Sequence, residues 1–277
     1  MRQLRASLFW IFCGISLLII IIPALDIVIS ILRAAAPAFK IDLITKGTGQ
    51  GGLQNAILGT LFLGIGVLLT AGTIGILGGL YIAEFAPARL ASILRFFSEV
   101  LSGVPSIVVG YVGYISLVVT LKWHYSLIGG VLALGALILP YIVKTTEVSF
   151  SSVPRTLREG AVALGLSRIQ TIRKVLLPPA LPGIISGLVI ALAISTGETA
   201  PLLFTAGFSD TNPAGLINSP VGYLTGVTYN DLQLPGANYQ ALANAAAGVT
   251  IILILLLIFA GRLITARSRR LVSRMDL

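Results

Sequence analysis

The sequence predicts an all-α membrane protein with six transmembrane helices. Three observations predict it. Hydrophobic residues fill 56% of the 277 positions and charged residues only 10%, where a soluble domain carries about 25% charged. Six apolar runs are long enough, or nearly so, to cross a hydrocarbon core about 30 Å thick, which takes roughly 20 residues of helix. The Lys and Arg residues fall mostly on one side of those runs. Together these exclude an ordinary soluble domain and, because the mean hydropathy is +0.98, a disordered chain. Helices are required because open strand edges in lipid leave backbone groups unpaired. One cysteine, Cys13, and one histidine, His124, exclude an internal disulfide and supply no set of ligands for structural zinc. Neither is given a role, and no metal site, cofactor site, catalytic triad or pair of catalytic carboxylates is present.

The spans run approximately Leu8 to Leu32, Ala56 to Ala83, Glu99 to Leu121, Leu127 to Val143, Leu181 to Ala206 and Ala241 to Ile264. The first follows Arg2 and Arg5 and precedes Ala34-Ala35-Ala36, a pattern shared with signal peptides. Its apolar stretch is longer than a signal core, so it is read as a retained anchor. Between spans two and three, Pro87 opens a stretch with Leu90, Leu94 and Phe97 on one helical face and Arg89 and Arg95 elsewhere, as in a helix lying flat at the interface. Glu99 is placed at the N-terminus of span three, where the helix dipole favours a carboxylate. Glycines four apart at Gly75 and Gly79, and at Gly183 and Gly187, permit close helix contact, within the chain or between subunits. Apolar residues between Gly215 and Leu224 suggest a segment dipping back toward the membrane. Asp26, near the outer end of span one, is read as interfacial. Hydroxyls at Ser102, Ser106, Thr145, Thr146, Ser195, Thr196 and Thr199 are pathway candidates, although such groups commonly bond their own helix.

Placing the N-terminus inside puts fifteen of the nineteen Lys and Arg residues on the inner side, as the positive-inside rule requires. Arg33, Lys40, Lys46 and Lys122 are the outer four. Both termini are therefore expected in the cytoplasm. The net charge of +9 would suggest nucleic acid in a soluble protein. Here the basic tail from Arg267 to Arg274 faces anionic membrane lipid instead, and nucleic acid is not a partner.

The inner loop from about 145 to 179 is long for a connection between membrane helices. Ser151-Ser152 before Val153-Pro154 reads as a helix start. Leu157, Ala161 and Leu164 share a face, and Gly165 suits a helix stop. Ser167 with Gln170 forms a capping box that opens a second helix, expected to end before Pro178-Pro179. A helical pair of this kind fits a groove on a partner protein; a solvated connector is the alternative on composition alone.

These residues resemble the cytoplasmic signature of ABC-importer permeases: Glu-Ala-Ala, three residues, Gly, nine residues, Ile, one residue, Leu-Pro. Here Glu159-Gly160-Ala161 is followed by Gly165, Val175 and Leu177-Pro178 at every expected interval. Gly160 replaces Ala and Val175 replaces Ile. The resemblance implies a type I ABC importer permease fold, with this loop as a coupling helix seated in a separate ATPase subunit. The residues it assigns to that contact are Glu159, Gly160, Ala161, Gly165, Leu177 and Pro178. The chain has no phosphate-binding P-loop of its own, so ATP hydrolysis falls to the partner and this chain is not an enzyme.

Span five holds Glu198 inside an apolar run, where a carboxylate costs on the order of 3 kcal/mol. Gly197 and Pro201 beside it make a flexible point. The stretch Gly197-Glu198-Thr199-Ala200-Pro201 through Ala206 is similar to the PstA-type permeases of phosphate importers. So are Glu84-Phe85-Ala86-Pro87 and the run from Gly103 to Val108. That family carries an Arg one turn before the Glu; here the position is Ile194. Glu198 is then offset by a basic residue of a partner permease, or is protonated. Phosphate keeps a proton that a carboxylate can accept as a hydrogen bond, and sulfate has none. Gly197, Glu198, Thr199 and Pro201 are accordingly the pathway or gating candidates, a purely structural contact with the second permease being the alternative for Glu198.

The resemblance implies a bacterial plasma (inner) membrane protein working by alternating access. Its expected partners are a second homologous permease (PstC type), a dimer of ATPase subunits (PstB type), an extracytoplasmic phosphate-binding protein (PstS type) and phosphate. The chain then divides into residues 1–55 (first helix and external loop), 56–264 (core permease domain) and 265–277 (basic tail). The competing readings are a permease for sulfate, molybdate or another oxyanion, an ion-coupled secondary transporter, and a membrane scaffold.

Overall fold

The computed structural model describes residues 2–273, with side chains described from 9 to 266. Side chains of the basic tail beyond Ala266, and of Arg2 and Arg5, lie outside the described residues. Those described form helices, with no strand among them. Among the described residues, five helices are long and apolar enough to span a membrane, and a bent pair makes a sixth candidate. In order, the main helices are α1 (Arg2–Ala35), α2 (Gln54–Glu84), α3 (Ala88–Ser102), α4 (Ser106–Thr120), α5 (Leu127–Ser151), α6 (Arg155–Ala163), α7 (Arg168–Gly197), α8 (Ala200–Thr205), α9 (Leu224–Asp231) and α10 (Ala237–Ser273).

The centre of the bundle is α5. Its most apolar window is 61% buried, whereas that of α1 is 0% buried. Helices α2 and α7 flank it, and both glycine pairs serve this contact within the chain. A methyl group on Gly75 would sit 2.7 Å from Ile142 Cγ2, and one on Gly79 2.5 Å from the Val143 carbonyl. Gly187 and Gly183 face Thr145 and Ser149 of the same helix from the other side. Leu134, Ile138 and Ile142 of α5 are almost fully buried and form the main core with Leu63 and Val67 of α2 and Leu202 and Tyr223. Helix α10 packs on α7, α9 and α1.

Four expectations on boundaries are corrected. Span three does not begin at Glu99. The chain bends by 96° between α3 and α4, and Glu99 lies in the last turn of α3, its carbonyl accepting from Gly103. Pro105 disfavours helix at the residue before it, and Gly103 tolerates the exit. Second, α5 continues two turns past Val143, so Ser151 ends that helix and Ser152 bonds back to the Ser149 carbonyl at 2.8 Å. Neither serine caps α6, which starts after Pro154 without a side-chain cap.

Third, the second helix of the inner loop does not stop before Pro178-Pro179. It continues as α7 through a wide π-type stretch at Thr171–Leu176. A wide turn shifts the preceding carbonyls, which relieves the clash a proline ring makes in a regular helix. Fourth, span five ends at Gly197 rather than Ala206. In the outer segment, Leu216 and Ile217 are exposed, while Val221, Tyr223, Leu224 and Val227 are buried. The chain therefore re-enters the bundle at Val221 and α9, and the Leu224 amide donates to Thr60 Oγ1 at 3.0 Å.

Candidate functional site

The loop between α5 and α7 is a knob clasped to the end of α2. Arg158 of α6 donates to Glu84 Oε1 at 2.7 Å, to the Phe150 carbonyl at 2.7 Å and to the Val153 carbonyl at 2.6 Å. Arg168 donates to the Glu84 carbonyl and stacks its guanidinium 4.3 Å from the centre of the Phe85 ring. Both sides of the Gly165 turn are thus tied to Glu84-Phe85. A planar guanidinium with five donors can make such a fork; an ammonium cannot.

The turn itself follows from sequence. Gly165 has φ +72, and its amide bonds the Val162 carbonyl while that of Leu166 bonds the Ala161 carbonyl, the Schellman pattern. Ser167 and Gln170 complete the capping box. Nothing lies within 4 Å of a methyl group on either Gly165 or Gly160. The two positions therefore separate backbone strain from packing. Gly165→Ala is expected to cost roughly 1 kcal/mol, and Gly160→Ala, in mid-helix, to gain roughly 0.8 kcal/mol. Thermal melts of the two variants with shifts of the same sign would contradict this.

The expected face of Leu157, Ala161 and Leu164 is split. Ala161 is buried, but Leu157, Val162, Leu164 and Ile169 are exposed, Leu164 at 82%. Beside them, Glu159 and Gly160 are exposed and Glu159 has no hydrogen bond or ion pair among the described residues. Leu177 and Pro178 are half-buried at the root of the knob. Apolar side chains around an unpaired carboxylate, on a rigid projection, are what a protein-docking surface presents.

The second site is the break after α7. Pro201 has no N–H, and its ring would clash with the Gly197 carbonyl four residues back. The helix ends there. Glu198 takes an extended conformation (φ −75, ψ 137), and Pro201 sits in the first turn of α8. Gly110 on α4 admits this turn, since a methyl group there would lie 2.7 Å from Pro201 Cα. The freed Glu198 carbonyl accepts from Thr225 Oγ1 at 2.8 Å, so the returning outer segment covers the break. Removing that donor with Thr225→Val should cost about 1 kcal/mol, read as a lowered melting temperature; an unchanged value would mean that another group satisfies the carbonyl.

Glu198 and Thr199 are half-buried, Gly197 exposed and Pro201 buried. The Glu198 carboxylate makes no hydrogen bond or ion pair among the described residues, and Ile194, one turn earlier, is 42% exposed. The structure thus leaves an open, apolar surface beside an unpaired acid. It does not bring Glu159–Gly165 and Glu198–Pro201 together; they lie at opposite ends of α7. Several pathway hydroxyls bond their own helices instead: Ser102 to Glu99, Thr145 to Tyr141 and Thr196 to Leu192. No group of metal-binding side chains occurs among the described residues.

Sequence reasoning missed an ion pair. Arg95 Nε donates to Glu147 Oε1 at 2.6 Å, with Glu147 only 9% exposed. The signal was the helical period of α5, which runs on from Ile142 through Thr146, Ser149 and Phe150 and so places Glu147 within the helix. Glu84 was noted only as part of a family segment; its role as an anchor for Arg158 and Arg168 was not legible.

Comparison with known proteins follows this geometry. Residues 75–273 match the family model described as binding-protein-dependent transport system inner membrane component. The phosphate transport system permease protein PstA 2 of Mycobacterium tuberculosis (strain CDC 1551 / Oshkosh) is 47% identical over 273 residues, 97% of this chain and 90% of that protein. PstA of Haemophilus influenzae is 39% identical over 238 residues, 83% of each chain. Among solved structures, an inward-facing form of the MetNI methionine ABC transporter aligns with TM-score 0.63 at 21% identity, covering 78% of this chain and 94% of that one. At that identity the likeness is one of fold.

Proposed function

The chain belongs to the family of binding-protein-dependent transport system inner membrane components, and from that premise we propose that it is the permease subunit of an ATP-driven phosphate importer. It is a multi-pass transport subunit of type I ABC importer fold, and ATP hydrolysis lies in a separate subunit. A second permease, an ATPase and a binding protein are the partners such a system implies in general. Their assignment to the PstC, PstB and PstS types, and the placing of both termini in the cytoplasm of a bacterial cell, are part of the proposal.

The observation that carries it is the clasped knob with its exposed apolar face, in a chain whose 47% identical relative is named a phosphate permease. In the mechanism, the ATPase grips Leu157, Val162 and Leu164 around Glu159, and Gly165 keeps α6 and α7 at a fixed angle. Closure of the ATPase pair moves the knob and, through α7, the break at Glu198. The open surface of Ile194 and Gly197 faces the second permease, which supplies a cation to Glu198. The carboxylate then accepts a hydrogen bond from the O–H that phosphate carries and sulfate lacks.

The test is reconstitution of the complete transporter. ATPase activity should rise with phosphate-loaded binding protein and stay basal with the unloaded form. Downhill phosphate flux through this chain alone would overturn the reading in favour of a secondary carrier. Within the working transporter, Glu198→Gln should slow uptake about tenfold and weaken discrimination against sulfate. Unchanged rate and selectivity would remove Glu198 from the mechanism.

A further inference from the structure

A cavity of about 210 Å³ lies between the polar face of α3 and the inner half of α5. It is separate from both sites above. Arg95, Ser98, Glu99 and Ser102 line it from α3, at the spacing of one helical face. Tyr141, Lys144 and Glu147 line it from α5, and Ile82, Pro140 and Val143 complete the wall. The opposite side of α3 carries Ile93, Phe96, Phe97 and Val100, all exposed. The polar face of an amphipathic helix is thus turned toward α5, with Arg95, Glu99 and Ser102 still open to the outside.

The donors in this cavity are unevenly used. Arg95 bonds Glu147 through Nε, and its two terminal amino groups have no partner among the described residues. Lys144 has none either. Ser102 donates to the Glu99 carbonyl at 2.8 Å, while the Ser98 hydroxyl has no described partner. Glu147, buried and paired, fixes the guanidinium plane and leaves its outer edge for a second oxyanion. Glu99 is the unpaired carboxylate in the wall.

We propose that this cavity is a phosphate-group subsite, taking free hydrogen phosphate in the inner half of the pathway; the inference rests on the phosphate-permease reading above. The Arg95 amino groups and the Lys144 ammonium donate to the phosphate oxygens, with Ser98 as a further donor. Glu99 accepts the hydrogen bond of the phosphate O–H. The four charged side chains sum to zero, so directed donors hold the anion instead of a net field. That balance has a consequence. Sulfate and lipid phosphodiesters have no O–H to give, and their oxygens would face the Glu99 carboxylate with nothing between. Free phosphate is therefore favoured over a lipid headgroup, although both carry the group that Arg95 and Lys144 recognise. Size agrees: at about 30 Å³ per water, the cavity has room for about seven waters, and phosphate has five heavy atoms.

The experiment is equilibrium binding of radiolabelled phosphate to the complete purified transporter without its binding protein, with uptake by the same preparation in vesicles as a separate readout. Lys144 and Glu99 are exposed and unpaired, so Lys144→Gln and Glu99→Gln should fold with unchanged melting temperature. Lys144→Gln is expected to weaken phosphate binding about tenfold. Glu99→Gln should let sulfate compete, whereas against the unmodified protein sulfate should not. A transporter that imports phosphate but binds it equally well in both variants, with sulfate still excluded, would overturn the subsite and leave the permease reading intact. So would native mass spectrometry showing an anionic phospholipid retained by the unmodified protein and lost from Lys144→Gln, with no binding of free phosphate. A complete transporter that neither imports nor binds phosphate would overturn both.

Discussion

Replacing Arg158 with alanine is expected to abolish productive transport while leaving the membrane bundle folded. The guanidinium makes three bonds, to Glu84 and to the carbonyls of Phe150 and Val153, and the Glu84 side chain is only 12% exposed. Loss of one partner from a buried pair costs 3–5 kcal/mol, much of it from the stranded charge. The Arg158 side chain is 26% exposed, so about 3 kcal/mol is the appropriate figure. Borne by the docked position of the knob, that is about 100-fold in equilibrium. Phosphate uptake should fall by about that factor, and ATPase activity should no longer follow the loaded binding protein. Arg158→Lys should recover little, since one compact ammonium cannot take the places of both guanidinium amino groups. A double-mutant cycle with Glu84→Gln separates the pair from the carbonyl bonds. Additive effects in that cycle would show that Glu84 is not the anchor.

The second large effect is expected at Gly79, with its neighbour as control. A methyl group at Gly79 meets the Val143 carbonyl at 2.5 Å and Thr146 Cβ at 2.6 Å. These are backbone and β-branched atoms of the central helix, which cannot rotate away. Gly79→Ala should therefore force α2 off α5 and cost about 3 kcal/mol, the upper part of the range for overpacking. At Gly78 the nearest atom is Val143 Cγ2 at 3.5 Å, ordinary contact. Gly78→Ala should be neutral or slightly stabilising through helix propensity. Folded yield and melting temperature of the two variants in detergent check this. Equal effects would mean that the helices separate without cost and that the glycine spacing does not set their contact.

Legibility from sequence followed a physical boundary. The number and order of apolar runs were readable because twenty-residue hydrophobicity is a strong signal. Local backbone chemistry was also readable: Gly165 with φ +72, and the Ser167–Gln170 capping box, came directly from residue types. What failed were the places where a helix continues or bends against its local preference. Pro178 and Pro179 read locally as a stop, but the wide turn at Thr171–Leu176 carries the helix through. Gly103 to Pro105 was absorbed into an apolar run, and its 96° bend needed the neighbouring α5 to support it. At Glu198 the residues announced a weak point, while the break itself depends on Gly110 and Thr225, which come from distant parts of the chain. The Arg95–Glu147 pair spans 52 residues, and no local pattern links its members.

Helix α7 is 30 residues long, about 45 Å at 1.5 Å per residue. One end is held by the Gly165 turn and the Glu84 clasp, and the other stops at Glu198. No loop interrupts it, and in the proposed mechanism it serves as a push-rod. A tilt of about 5° imposed at the inner end sweeps the far tip by about 4 Å over that length, more than a hydrogen-bond distance. In that mechanism, work done in the aqueous compartment on one side loosens the Thr225 seal near the other without any chain of small side-chain adjustments between.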